Sequence, residues 1–359
     1  MITGAHEDAA GLDLPHPNLE IHRMGTRLTV FHRAALACWR GTGRDADIVF
    51  EVINGIAFFT PLWGFLRVPK VVLIQHVHRD QYVTELGWRG RIGALLLERL
   101  PLRHVYRRTS ICAISQAARQ DLIELGVSPA AVEVVYLGVD IAESPEPKAS
   151  TPTLLYVGRL KRYKRPELLL DVLEAVPGAV LEVAGDGDHR AEFEAEVEQR
   201  GLLERVVMHG FVAEQDKPAL YARAWLAVTA SSAEGWGLTV MEAAICGTPT
   251  AALRVGGLRE AIVDGETGCL ADDVGDLAVR VREILASSEL RDRLGAASAQ
   301  RARSFSWERA AAEILVLLQQ AAAAVEDHRP APVLDLAPTG VLGVATLGDA
   351  TVPVGSESQ

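Results

Sequence analysis

Residues 234–242 read EGWGLTVME, with Glu234 and Glu242 bracketing a glycine-flanked tryptophan. The run before it, AWLAVTAS, is apolar and short enough for a buried strand, while LTVMEAAICG after it has helical spacing and a closing glycine. The motif therefore sits on a strand-to-helix turn. In an open α/β sheet such turns lie at the carboxyl ends of the strands, where ligands bind, and the helix that begins there points unpaired N–H groups at the occupant. An anion suits those donors. Two glutamates beside an anion make electrostatic sense only if they contact something neutral attached to it, such as the hydroxyls of a sugar or ribose.

A second turn carries the opposite charge. In VGRLKRYKRPELLLDVL, residues 157–173, a strand ends at Gly158, the loop holds Arg159, Lys161, Arg162, Lys164 and Arg165, and Pro166 is expected at the first helical position. Cations beside a helix N-terminus form a site for a diphosphate, whose charge grows as a glycosidic C–O bond breaks. Alone, this stretch reads better as a solvated basic loop; the companion turn at Glu234 shifts the balance. Gly185 and Gly187 in LEVAGDGDHR lack the full G-x-G-x-x-G and do not open the first strand-helix unit of a domain, which sets aside a dinucleotide dehydrogenase. They fit either close backbone access to a ligand or an ordinary turn. In KVVLIQHVHRD, His76 ends an apolar strand with His78 two residues on, placed to hydrogen-bond a substrate. No acidic or cysteine partner follows a metal-ligand pattern, so no metal is expected. Asn54 and Gly55 stand at another strand end, where a plain turn is the competing reading.

The elements that position these turns alternate regularly. DIVFEVI, KVVLIQH, TSICAIS and VEVVYLG are short apolar runs in the first half, and TLLYVG, VLEVAG, VVMHGF, WLAVTA and TPTAAL follow in the second, with helical patterns between. Alternation of this kind predicts parallel sheets with helices on both faces. With 359 residues and 49% hydrophobic content, the chain has material for two cores. The proline- and charge-rich ESPEPKASTPT reads as a linker. The expected organisation is a first doubly wound domain over 1–145, a linker at 146–152, a second domain over 153–305, a helix at 306–327 packing back towards the first domain, and a disordered tail over 328–359.

Charge and composition exclude several classes. The net charge of −11 argues against nucleic-acid binding; residues 1–150 hold 16 basic and 16 acidic side chains, so the acidic excess lies in the second half. Cys38, Cys112, Cys246 and Cys269 are scattered without a C-x-x-C pair, which predicts small buried hydrophobes rather than disulfides or zinc ligands. The N-terminus lacks signal-peptide character and no apolar run reaches membrane-span length, so a cytoplasmic protein is expected. The arginine-rich apolar stretch 79–108 has two readings, a core helix with a solvated arginine face or a surface for anionic membrane.

The paired glutamates, VGRLKRYK, AGDGD, GFV after Met208 and His209, and VGGLREAIVDGETGCL together resemble the family 4 glycosyltransferases, which have the GT-B fold, over roughly residues 1–325. The resemblance implies two Rossmann-like domains facing a cleft and retaining transfer of a hexosyl group from a UDP- or GDP-sugar, without a metal ion or other cofactor. The acceptor, lipid-linked or glycan, is not identified. It implies that Arg159 and Lys164 hold the diphosphate, Glu234 touches the donor sugar and Glu242 the ribose. The backbone of Gly235, Trp236, Gly237 and Leu238 would approach sugar and phosphates, the base would lie near Phe211 and Val212, and the family's strand-end histidine falls on His76, with His78 the alternative. The first residues look like the end of the family's second strand, so the first strand-loop-helix unit is expected to be missing, and Leu137 stands where the family often has asparagine or proline. The alternative expectations are a catalytically incomplete nucleotide-sugar-binding paralogue or fragment and, further off, another GT-B activity such as an epimerase or phosphorylase.

Overall fold

The computed structural model describes residues 1–5, 12–26, 28–78, 82, 84, 87–139, 146–326 and 341–345. All nine expected strands form. In chain order the strands are β1 Ile2–Thr3, β2 Leu12–His16, β3 Leu19–Arg23, β4 Ile48–Ile53, β5 Lys70–Ile74, β6 Ser110–Ala113, β7 Val132–Val134, β8 Thr153–Val157, β9 Val180–Ala184, β10 Val206–Gly210, β11 Leu226–Thr229, β12 Thr250–Leu253, β13 Gly268–Ala271 and β14 Val341–Ala345. They divide between two compact units, one holding Met1–Tyr82, Trp88–Val135 and the chain from Ala311, the other Val83–Gly87 and Tyr136–Ala310.

The first unit's sheet runs β2-β3-β1-β14-β4-β5-β6-β7, parallel except for the β2–β3 hairpin. Its β5, KVVLI, is apolar on both faces: Val72 and Ile74 pack with Ile111, Leu122 and Tyr106, while Val71 packs with Ile48 and Leu318. Leu318 belongs to the helix Trp307–Glu326. Covering both faces is what a parallel sheet requires. The chain beyond 328 was expected to be a disordered tail. Instead Val341–Ala345 is a strand, pairing in parallel with β4 from Val341↔Ile48 to Ala345↔Val52 and with β1 at Ile2↔Val344. The remainder of that expected tail lies outside the described residues.

The second unit's sheet runs β10-β9-β8-β11-β12-β13, all parallel. From β8 the order proceeds outward in two directions, and the reversal falls between β8 and β11. Alternate residues of β8 face opposite layers, Leu154 and Tyr156 with Leu181 and Phe193, Leu155 with Tyr221 and Ala243. The short β13, GCLA, alternates too weakly to read from sequence.

The boundary between units falls at Tyr136 rather than at 146–152. Tyr136 donates its hydroxyl to Glu260 Oε2 at 2.8 Å and packs on Trp236, and a Cβ at Gly138 would fall 2.2 Å from the Trp307 nitrogen. Those contacts draw the segment into the second unit. The expected linker is also anchored where it is described: Lys148 Nζ bonds the Ala224 carbonyl and Thr248 Oγ1, and the Trp225 indole donates to the Ala149 carbonyl.

Candidate active site

In the second unit the loops after β8 and β11 meet at the point where the strand order reverses, the place where open parallel sheets bind ligands. Lys164 comes from the first loop and Glu234 from the second. Their side chains pair at 2.5 Å, each 16% exposed, and Ser231 Oγ donates to the same Glu234 oxygen at 2.8 Å.

The other cations of the loop have separate tasks. Lys161 pairs with Asp188 at 2.7 Å and Arg162 with Glu192 at 3.1 Å, both on exposed surface. Arg165 adopts a left-handed backbone, φ +48°, and its guanidinium donates to the carbonyls of Ala230 and Ser231. That clamp ties the two loops together. It also delays the helix, which begins at Leu168 rather than at the expected Pro166, after a short turn at Arg162–Lys164. Arg159 is exposed and makes no ion pair among the described residues.

The EGWG turn is shaped by its glycines. Gly237 has φ +92° and caps the helix Leu238–Ile245 without a side-chain hydrogen bond, so the amides at Leu238 and Thr239 meet no capping oxygen. A Cβ at Gly256 or Gly257 would strike the carbonyl of Glu234 or Gly235 at 2.3 or 2.2 Å, which holds the VGGL loop against this turn. The Trp236 side chain is buried, its ring 4.5 Å from Tyr136 and 5.0 Å from Phe305. Glu242, one turn into the helix, accepts the Tyr221 hydroxyl at 2.6 Å and lies 3.8 Å from Lys217 Nζ. Burial raises its pKa, against the pull of Lys217 and Tyr221.

Gly185 and Gly187 have a packing explanation. A Cβ on either would clash with a backbone oxygen, 1.9 Å from that of Gly158 and 2.1 Å from that of Leu160. The Gly158 amide bonds the Ala184 carbonyl and the Leu160 amide the Asp186 carbonyl, so the glycines let the two strand ends meet. Phe211, just after β10, is 76% exposed, with Val212 partly buried beside it.

In the first unit, His76 and His78 follow β5 with ring centroids 3.9 Å apart. His78 receives a buried carboxylate from Glu98, whose Oε1 accepts its amide at 2.6 Å and lies 3.2 Å from its Nδ1. Asn54 and Gly55 follow β4, and Gly55 has φ +97° as its turn requires. Glu51, fully buried on β4, accepts the amides of Phe58 and Thr60 and the Tyr106 hydroxyl, fixing the loop after Asn54. Among the described residues no three His, Cys, Asp or Glu side chains cluster as metal ligands. Cys38, Cys112 and Cys269 are buried free thiols and Cys246 is half-buried.

The family models cover both halves of the chain: "Glycosyltransferase Family 4" matches residues 3–143 and "Glycosyl transferases group 1" matches 140–301. The chain belongs to the family 4 glycosyltransferases. The chain is 29% identical over 260 residues to the glycogen synthase of Mycobacterium tuberculosis, covering 69% of this chain and 63% of the relative. To the D-inositol 3-phosphate glycosyltransferase of Xylanimonas cellulosilytica it is 32% identical over 237 residues, 59% of this chain and 57% of the relative. The chain thus spans about 60% of the length of these relatives. Its GT-B fold matches sucrose-phosphate synthase of Thermosynechococcus elongatus with a TM-score of 0.77 at 22% identity, covering 90% of this chain and 89% of that one. Anabaena HepE, solved with UDP-glucose, matches with a TM-score of 0.67 at 20% identity, each chain 86% covered.

Within the second unit the fold brings Lys164 and Glu234 into contact and sets Gly158 and Arg159 in the same loop as Lys164. His76, His78 and Asn54 stand in the first unit. Sequence reading missed the supporting contacts: Ser231 on Glu234, the Arg165 clamp on the Ala230 and Ser231 carbonyls, Tyr221 and Lys217 around Glu242, and Glu98 behind His78. Tyr221 and Glu242 lie 21 residues apart on different helices, so no motif spacing links them.

Proposed function

We propose that this glycosyltransferase moves a hexosyl group from a UDP- or GDP-sugar to an unidentified acceptor, with retention of anomeric configuration and without a metal ion. The Lys164–Glu234 pair at the strand-order reversal of the second sheet carries the reading. A diphosphate seated by Arg159 and the Leu238 helix start competes for the Lys164 ammonium, because charge-assisted bonds to phosphate are strong. Glu234, relieved of part of that pairing, then accepts from a hydroxyl of the donor sugar. Glu242 offers the same chemistry to ribose, and the exposed Phe211 ring offers a face to the base beside Val212.

No side chain needs to attack. The bond from the anomeric carbon to the diphosphate oxygen breaks, the acceptor oxygen bonds that carbon on the same face, and the acceptor proton passes to the leaving diphosphate. Arg159, Lys164 and the helix amides stabilise the charge that builds on the leaving group, the term that weighs most in such sites. HepE's complex with UDP-glucose supports a donor of this class.

Proton NMR of the chain with a panel of UDP- and GDP-sugars tests the proposal. Consumption of one donor with an α-configured product appearing first is the expected result. Saturation transfer to a donor without consumption favours the incomplete, donor-binding alternative, and no contact with any donor contradicts both.

An anionic membrane surface is the proposed site of action, at the inner face of the membrane. On Trp88–His104, Trp88, Ile92, Leu95, Leu96 and Leu100 are exposed, Trp88 by 69%. Arg89, Arg91, Arg99 and Arg103 are exposed among them, and the one acid of residues 88–108, Glu98, is buried. Aromatic and aliphatic groups ringed by arginines suit a headgroup layer of negative charge. No helix among the described residues is long and apolar enough to cross a membrane.

A further inference from the structure

Glu98 sits where the segment Trp88–His104 winds as a π turn over Leu95–Arg99. The sequence explains the turn. Pro101 brings no N–H and its ring crowds the carbonyl four residues back, and the Leu100 amide reaches five residues back to the Leu95 carbonyl. The wider turn leaves Leu96, Arg99 and Leu100 exposed and Glu98 only 6% exposed.

Such burial is costly for a carboxylate with few partners. Glu98 Oε1 takes the His78 amide at 2.6 Å and faces His78 Nδ1 at 3.2 Å. Its Oε2 is buried with no hydrogen-bond partner among the described residues, beside a small cavity lined by His76, Ile74 and Tyr106. A methionine or leucine would fill this volume at lower cost, so packing does not account for the carboxylate. A ring nitrogen that donates to a carboxylate keeps its proton there and leaves the other nitrogen free to accept.

We propose that Glu98 is a positioning residue that holds His78 in the Nδ1–H tautomer and presents His78 Nε2 to a hydroxyl of the bound substrate, making His78 rather than His76 the working histidine. The proposal rests on the transferase reading above. The His76 ring, 3.9 Å away, then serves as the surface against which the His78 ring is held.

Two-bond nitrogen-proton NMR spectra of the imidazole rings test this on the protein alone, with His78→Gln identifying the signal. The Nδ1–H form is expected in the wild type, retained in Glu98→Gln, whose amide oxygen still accepts, and replaced mainly by Nε2–H in Glu98→Met. Consumption of the donor identified above is expected to fall at least tenfold in Glu98→Met, with the donor KM unchanged, and to stay within threefold in Glu98→Gln. An Nε2–H form or an even mixture in the wild type overturns the proposal, whether or not Glu98→Met folds. So does unchanged turnover in a folded Glu98→Met. A wild type that consumes none of the donors overturns the transferase reading instead, and the spectra still decide whether Glu98 sets His78.

Discussion

Lys164 Nζ lies 2.5 Å from Glu234 Oε1, an ion pair joining the loops after β8 and β11 at the strand-order reversal of the second sheet. A partly buried pair of this kind is poor evidence for stability, because desolvation offsets much of the attraction. Under the proposed function it is a charge held ready for exchange, with the donor's diphosphate taking over the lysine.

The sorting of the five loop cations predicts unequal effects. Arg159→Ala removes an exposed guanidinium that has no ion-pair partner among the described residues, and kcat/KM for the donor should fall by about 10- to 100-fold, the scale of a charge-assisted bond. Lys161→Ala, which breaks the exposed pair with Asp188, should change it by less than threefold. Steady-state kinetics on the two variants checks the contrast.

Glu242 predicts a trade of stability against binding. Its pKa in the fold is raised above the ordinary 4.5 by burial, so its protonated form is favoured on folding. That contribution is fully present below about pH 4.5 and is lost as pH rises through the raised folded value. Glu242→Gln should therefore raise Tm by about 2–4 °C at pH 7.5, show little gain at pH 4.5, and weaken nucleotide binding. Calorimetric Tm at the two pH values, with nucleotide titration at the higher, measures all three.

The first sheet makes a demand on its own C-terminal strand. β14 pairs with both β4 and β1, and without it those strands become unpaired edges inside the sheet. A chain ending at Glu326 should lose several degrees of Tm, and hydrogen exchange should speed up at Ile48–Ile53 and Ile2–Thr3 while β8 and β9 keep their protection. Equal exchange at β4 with and without the segment would contradict the pairing.

The arginine-ringed face of Trp88–His104 predicts salt-sensitive lipid binding. The chain should sediment with phosphatidylcholine vesicles in which roughly one lipid in three is phosphatidylglycerol, and release at high salt. Trp88→Ser with Leu96→Ser should abolish sedimentation while donor consumption in solution persists.

Much of the architecture was legible because it rests on local pattern. Strands such as KVVLI and TLLYV are continuous apolar runs between turn residues, and helices at Leu238 and Trp307 follow from spacing. The units' boundary was not, since it depends on Tyr136 packing against Trp236 and Phe305, residues 100 and 169 positions away. β14 was hidden by the glycine, threonine and proline around it, which read as tail when no partner strand is in view. For the site, Lys164 and Glu234 were visible through strand ends and charge. The residues that hold them were invisible: Arg165 looks like one more cation until its left-handed backbone aims it at the Ala230 carbonyl, and Glu98 looks like surface until Pro101 forces the π turn.

Isothermal titration of the donor identified by NMR into the wild type, Lys164→Ala and Lys161→Ala tests the central claim most directly. If the pair is a diphosphate site, Lys164→Ala should raise the donor Kd by about 10- to 100-fold, the 1.5–3 kcal/mol typical of a bond to a charged group, while Lys161→Ala stays within threefold of the wild type. Equal affinity in all three, with the variants folded, would contradict the placement of the donor at Lys164 and Glu234.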